Sequence, residues 1–166
     1  MNSRWLSLIA FIGIALITIG IYSLVRKPQT EVADQPPPAP VKKDEFPGWK
    51  QIKQDAIPVD QQWTSVGKYS GKILIVMSGT VILDPNRPPI GPDGISELAP
   101  QGFTVPGIVQ YCSLGKFNGK VQKIGSYREL DINGELYLGP NEDAAAMHGH
   151  SFADNSGVWG YRIFKR

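Results

Sequence analysis

The sequence contains a single cysteine, Cys112, among its 166 residues, and only two histidines. An internal disulfide is therefore excluded, and a folded domain must draw its stability from an apolar core of ordinary size. An excess of charge of one sign is also lacking, since 17 lysines and arginines face 15 acidic residues. This balance gives no nucleic-acid-binding signature.

One long hydrophobic run is present near the N-terminus. No residue between Trp5 and Val25 is charged, and basic residues bound the run on both sides. At about 1.5 Å per residue the run makes a helix of roughly 30 Å, long enough to cross a bilayer. No small-x-small cleavage pattern follows it, and no nearby cysteine offers a site for a lipid. We therefore predict a short flank at residues 1–4 and an uncleaved transmembrane signal anchor at residues 5–25, with a cleaved signal sequence as the alternative.

The next segment, residues 26–45, is rich in proline and poor in apolar residues. It cannot bury enough apolar surface to offset its ordering entropy, so we predict an extended tether. The basic residues after the hydrophobic run favour a cytoplasmic C-terminal domain, whereas a very short N-terminus before a long polar domain favours export. We predict a single-pass protein of a bacterial inner membrane with its C-terminal domain in the periplasm.

Residues 46–166 show recurring strand signals and no sustained helical periodicity. A near-continuous apolar run at residues 72–83 indicates a central strand covered on both faces, and Cys112 is predicted to be a buried strand residue. Strands are predicted at residues 57–66, 72–83, 107–112, 119–124, 127–131, 135–138 and 158–165. Short strands at this spacing predict an all-β domain, a small antiparallel β-sandwich.

Asn133-Gly134 lies between two apolar-alternating runs. Such a pair supplies positive φ at little cost and is typical of hairpin turns. A three-residue loop ending at Gly134 would pair Leu130 with Leu136 and keep one face consistent. We therefore predict a bulged hairpin here.

Two oxygen-rich segments flank a loop near the C-terminus: Asn141-Glu142-Asp143 and Asp154-Asn155. An antiparallel connection would bring both segments to the same end of the sheet. Carboxylate, amide and carbonyl oxygens are the ligands that Ca²⁺ prefers. The alternative is that these residues cap turns by bonding their own backbone.

Several segments, in this order, resemble the calcium-dependent galactose-binding PA-IL (LecA) lectins. The most specific are G-E-L-Y-L-G-P-N-E at residues 134–142 and D-N-S-G at residues 154–157. The other matching segments are I-P-V-D-Q-Q-W-T-S-V-G-K at 57–68, I-L-I-V-M-S-G at 73–79, I-G-P-D-G at 90–94 and G-K-V-Q-K-I-G at 119–125. The resemblance covers the chain from about residue 57 onward and implies a small antiparallel β-sandwich.

The resemblance also implies a Ca²⁺ site. Its residues would be Asn141, Glu142 or Asp143, Asp154, Asn155 and the backbone carbonyl of Leu83. Glu142, Asp154 and Asn155 would lie closest to the ligand. The chain departs from the family in three ways: Glu142 replaces an Asp, the loop after Glu142 is longer, and the family's sugar-contacting His-Pro-Asp-Gln stretch has no counterpart after Gly94.

Three weaker signals lead to other predictions. His148 and His150 lie one residue apart, so the two imidazoles offer an alternative site for Zn²⁺ or another transition ion. Glu142 and Asp154 offer an acid and base pair for a glycoside hydrolase. The strand aromatics Trp63, Trp159 and Tyr137 are read first as core residues and second as sugar-stacking residues.

Together these observations predict a membrane-anchored, non-catalytic lectin-like module that binds a glycan through calcium. The alternative is a scaffold that has lost the sugar site and binds a protein of the cell envelope. A metal-dependent or glycoside hydrolase is the third reading. The sequence does not specify the oligomeric state.

Overall fold

A computed structural model describes residues 46–149 and 151–166. It contains six β-strands and one 3-10 turn, Phe152–Asp154. The predicted membrane anchor, the proline-rich tether and His150 lie outside the described residues. Those residues contain no helix that is long and apolar enough to cross a membrane. The strands are β1 Lys50–Pro58, β2 Thr64–Ser78, β3 Ser113–Phe117, β4 Lys120–Lys123, β5 Tyr127–Pro140 and β6 Val158–Lys165.

The six strands form one antiparallel sheet in the order β1-β6-β2-β5-β3-β4. Flat neighbouring strands would place β1 and β5 about 14 Å apart, because three interstrand spacings of about 4.8 Å separate them. Residues of β1 and β5 nevertheless approach within 8 Å at Cα. The sheet is therefore strongly curled, and one core can be enclosed by strands of a single sheet. The prediction of an antiparallel all-β domain is confirmed. Its two faces around the core are formed by one curled, continuous sheet.

The core lies on the concave face of this sheet. Its completely buried members include Ile57 of β1, Ile75 of β2, Leu136 of β5 and Trp159 of β6. The opposite face of β2 is covered as well, because Leu74 and Val76 form a second apolar cluster with Phe164, Phe46 and Trp49. β2 is thus buried on both faces from Ile73 to Met77, as the apolar run predicted, whereas Val66 is the one buried residue among the first nine of the strand.

The predicted hairpin at Asn133-Gly134 is wrong. β5 continues through both residues, and Gly134 pairs with Tyr69 of β2 while Asn133 pairs with Ser70. Gly134 has a φ of +142°, so the strand tolerates the glycine without turning. Period-two alternation continues across this point, and it places four buried residues on one face: Leu130, Ile132, Leu136 and Leu138. The long pairing with β2 outweighs the local turn preference of Asn-Gly.

Other predicted strand bounds also need correction. The strand predicted at residues 57–66 is split, since β1 ends at Pro58 and β2 begins at Thr64. β2 ends at Ser78, before Gly79, so residues 81 and 82 make only isolated bridges. Residues 107–112 are loop rather than strand, although Cys112 is buried as predicted. Proline, glycine and loop pairing interrupt these segments in a way that residue preference alone did not indicate.

Gly139 permits a close backbone crossing near the end of β5. We call the end of the sheet beyond Pro140 its rim. The chain at Gln62 crosses β5 there, and a Cβ added to Gly139 would overlap the Gln62 carbonyl oxygen. The same Cβ would lie 3.4 Å from the ring of Trp63. Only glycine therefore allows residues 62–63 to lie flat against β5.

We expect Gly139→Ala to lower the free energy of unfolding by about 3 kcal/mol, because the added methyl must displace backbone rather than a flexible side chain. Urea unfolding of the two proteins measures this loss. Gly91→Ala is the matched control, since the nearest atom to its added Cβ is 4.0 Å away. A change below about 1 kcal/mol for Gly139→Ala, or equal changes for both variants, would contradict the proposed close crossing.

Candidate cation site at the sheet rim

The end of β5 delivers three polar residues into the protein interior. Asn141, Glu142 and Asp143 follow Pro140 directly, and each is 0% exposed. Buried carboxylates are costly unless they receive hydrogen bonds or bind a cation. The position of these residues therefore requires a local explanation.

Asn141 anchors the loop that covers the rim. Its amide nitrogen donates to the carbonyls of Val105, at 3.2 Å, and Val109, at 3.0 Å. Its amide oxygen accepts from the Val105 N–H at 2.9 Å. The backbone N–H of Asn141 also donates to the Cys112 carbonyl at 2.8 Å. The side chain therefore satisfies three backbone groups of the loop.

The two carboxylates beside Asn141 face different surroundings. Glu142 Oε1 accepts from the Asp143 N–H at 3.0 Å, and Asp143 Oδ2 accepts from the His148 N–H at 2.6 Å. The other oxygen of Asp143, Oδ1, is buried and receives no hydrogen bond from the described residues. It packs against Gly102, where an added Cβ would lie 2.9 Å from it.

The second oxygen-rich segment lies beside the end of the apolar run that contains Leu83. Ile82 and Ser156 exchange two backbone hydrogen bonds, at 3.0 and 2.9 Å, so the register places Leu83 opposite Asn155. Asn155 is 8% exposed, and its amide nitrogen donates to the Val59 carbonyl at 2.8 Å. Its amide oxygen is buried and receives no hydrogen bond from any described residue.

Asp154 has a different position from its neighbour. It is exposed, and its Oδ1 accepts from the Ser151 N–H at 2.9 Å in a capping box at the 3-10 turn. This is the turn-capping arrangement that the sequence offered as an alternative to cation binding.

Tyr111 is buried close to two carboxylates from different parts of the chain. Burial, followed by the negative charges of Glu142 and Asp84, raises its pKa to about 12. The phenol therefore lies in the field of one carboxylate that follows β5 and of another that follows Leu83. Asp84 directly follows Leu83, is 7% exposed, and pairs with Arg87 at 3.3 Å. Neither Asp84 nor Tyr111 was predicted from the sequence; the Asp-Pro pair at the end of the apolar run was the available signal for Asp84.

No group of three or more His, Cys, Asp or Glu side chains with metal-binding spacing occurs in the described part of the chain. His148 lies beside Phe103, with ring centroids 6.1 Å apart, and its Nε2 is 2.8 Å from the Gln101 carbonyl. The zinc site predicted from His148 and His150 involves a residue outside the described ranges. Oxygens from amides and carbonyls would have to complete any site for a hard cation here.

The comparison with solved structures adds the fold. The chain is similar to a structure described as the EclA N-terminal domain, a PllA-like lectin, with a TM-score of 0.51 and 14% sequence identity. The match covers 70% of this chain and 98% of that one. No protein-family model and no curated protein matches the sequence. The domain therefore has a lectin-like, antiparallel all-β fold.

We expect Asn141→Ala to lower the free energy of unfolding by about 2 to 3 kcal/mol, because three backbone groups of the covering loop lose their partner. Chemical unfolding with and without added calcium checks this. The loss should be equal in both conditions, since the amide serves the loop. Asn133→Ala, at an exposed position of β5, is the control and should stay within about 0.5 kcal/mol of the unmodified protein.

The raised pKa of Tyr111 also predicts alkaline sensitivity. Above pH 10 the unfolded chain loses the phenolic proton, which the folded state retains up to about pH 12. Stability should therefore fall as pH rises through this window, and burial gives Tyr161 the same effect. Tyr111→Phe should make the fall shallower in urea unfolding between about pH 9 and pH 11. An unchanged slope for Tyr111→Phe would refute the assignment.

Proposed function

We propose that this domain binds carbohydrate through a calcium ion held at the rim by residues that follow β5 and by the paired segments that contain Leu83 and Asn155. The observation that carries the proposal is the buried amide oxygen of Asn155, which receives no hydrogen bond from a described donor. Two completely buried acidic residues, Glu142 and Asp143, follow Asn141 and add negative charge. A buried acceptor without a donor costs about 1 to 3 kcal/mol. A bound cation would remove this cost.

The residues present fit a hard cation. Carboxylate oxygens of Glu142 and Asp143, the amide oxygen of Asn155 and the carbonyl of Leu83 are all oxygen ligands of the kind that Ca²⁺ takes. The charges of Glu142 and Asp84 around Tyr111 supply the negative field. We assign Asn141 to the covering loop rather than to the ion, because its amide oxygen already accepts from Val105. Asp154, exposed at the capping box, would lie at the outer edge of the site.

When bound, calcium would supply coordination positions for vicinal hydroxyl groups of a sugar. The protein would hold the ion, orient these positions toward solvent and exclude water from the buried side. Binding without catalysis is the function that this arrangement supports. The predicted anchor at residues 5–25 and tether at residues 26–45 would present the domain from a membrane, which remains a prediction.

Calcium titration of the full chain in detergent tests the proposal. We expect saturable heat in isothermal titration and an increase in the free energy of unfolding of about 2.7 kcal/mol at a hundredfold excess over Kd. Glu142→Gln and Asn155→Ala should each weaken calcium binding at least about tenfold, and Asp143→Asn shows whether Oδ1 takes part. A glycan panel follows, with and without chelator.

Asp131→Asn is the matched control for these variants, because Asp131 is exposed on β5 and lies away from the rim residues in the strand register. It should bind calcium as the unmodified protein does. No calcium binding by the folded chain, or equal weakening by Asp131→Asn, would reject the ion site.

A second candidate function is protein binding through the same rim. Leu98 and Met147 are each 65% exposed, and exposed apolar surface marks protein-interaction sites where it is contiguous. On this hypothesis Leu98→Ser and Met147→Ser should abolish chelator-insensitive capture of a partner from membranes. On the lectin hypothesis the same variants should leave calcium affinity unchanged.

A further inference from the structure

A cluster of two aromatic rings and one lysine lies on the convex face of the sheet. Lys116 of β3 pairs with Tyr137 of β5, and Tyr137 pairs with Ser65 of β2, so the three side chains form a row across three strands. The neighbours of Tyr137 along β5, Leu136 and Leu138, are buried in the core. Alternation therefore directs Tyr137 and Lys116 to the opposite face.

Trp63 completes this cluster. The missing side chain of Gly139 lets residues 62–63 lie against β5, and the Trp63 ring packs beside Gly139. The Lys116 ammonium lies 4.7 Å from the centroid of the Trp63 ring and 4.7 Å from that of the Tyr137 ring. All three side chains are half-buried, so each keeps part of its surface toward solvent. We call these three residues the aromatic-lysine cluster.

The Lys116 ammonium has unused binding capacity. It carries three N–H donors. Within the described residues it donates no hydrogen bond, and no carboxylate lies within 4.0 Å of it. Two aromatic faces stabilise the positive charge but accept no full hydrogen bond. An anionic group of a ligand would find a fixed, partly desolvated cation here.

The rings restrict the kind of anion that fits. Tryptophan and tyrosine offer flat apolar surface with a polar edge, which suits the C–H face of a pyranose. The Tyr137 hydroxyl is one polar group beside the rings. The nearby Ser65 hydroxyl, which donates a hydrogen bond to the Glu135 carboxylate, is another. A neutral sugar would use the rings alone, whereas a sugar with a carboxylate would use the rings and the ammonium together.

We propose that the aromatic-lysine cluster is a second saccharide site, specific for a pyranose that carries a carboxylate. The site needs no calcium and shares no residue with the rim. It goes beyond the proposed rim function and can hold or fail independently of it. A glycan bound at both sites would be held on two faces of one domain.

Titration of the full chain in detergent and chelator tests this proposal, because chelator removes any contribution of the rim. The probes are 3′-sialyllactose and trigalacturonate as carboxylated saccharides, with lactose as the neutral comparison. We expect both acidic probes to bind at least tenfold more tightly than lactose. Quenching of tryptophan fluorescence by the acidic probes should be lost in Trp63→Phe.

Substitutions separate charge from shape. Lys116→Met keeps the apolar stem, so it should lower affinity for both acidic probes at least tenfold and leave lactose binding unchanged. Lys116→Arg should keep the affinity for the acidic probes within about threefold of that of the unmodified protein, because guanidinium also stacks on aromatic faces and pairs with carboxylates. Lys120→Met, at an exposed position of neighbouring β4, is the matched control and should bind as the unmodified protein does.

Three results would overturn the proposal: equal affinity for acidic and neutral probes, acidic binding unchanged in Lys116→Met, or equal losses in Lys116→Met and Lys120→Met. If Lys116→Met does not fold, the probe preference of the unmodified protein and of Lys116→Arg still decides. Loss of acidic binding on chelation would assign that binding to the rim instead. Calcium binding that fails while acidic binding persists would reject the rim function alone.

Discussion

Burial of two adjacent acidic residues, Glu142 and Asp143, at the end of β5 is the constraint on which the rim of this domain depends. Removing a carboxylate from water costs several kcal/mol unless nearby groups compensate. The protein compensates in part with backbone N–H donors from Asp143 and His148. These donors belong to the loop that follows β5, so the position of that loop must be fixed. Much of the surrounding structure fixes it.

The sheet supplies this firmness. β5 runs without interruption from Tyr127 to Pro140, paired with β2 over most of its length, and so fixes the position of the acidic residues. Gly139 and Asn141 then hold the chain on either side of Pro140: the glycine admits residues 62–63, and the asparagine binds the loop at Val105 and Val109. The continuous strand, the close approach at Gly139 and the side chain of Asn141 together fix the backbone from Tyr127 to Asn141.

The end of β5 and the segment after Leu83 share one electrostatic neighbour, Tyr111. Tyr111 experiences the negative charges of both Glu142 and Asp84, and Arg87 balances Asp84 with Glu97 as its second partner. Asn155 faces Leu83 in the adjoining backbone pairing. The Asn155 Oδ1 and Asp143 Oδ1 atoms receive no hydrogen bond from the described residues, and we propose that a cation complements them. On the convex face the situation is reversed, because the Lys116 ammonium lies between two aromatic rings and has no carboxylate partner among the described residues.

The sequence predicted the fold class well because alternation and β-branched runs are properties of the strands themselves. It misplaced the hairpin because Asn-Gly is a local signal, whereas Leu130, Ile132, Leu136 and Leu138 continue one alternating face through it. The polar segments at residues 141–143 and 154–155 were recognised from composition. Their separate environments were not: Asn141 binding a loop, Asp154 capping a turn and Asn155 buried all depend on contacts with distant loops. Such contacts leave no periodic signal in one sequence.

The central claim is that the rim oxygens hold one cation. A crystal structure of the protein grown with calcium tests it most directly. The account predicts a density peak about 2.3 to 2.6 Å from Asn155 Oδ1 and from a carboxylate oxygen of Glu142 or Asp143. Ordered water bonded to Asn155 Oδ1, with no ion at the rim at saturating calcium, would contradict it.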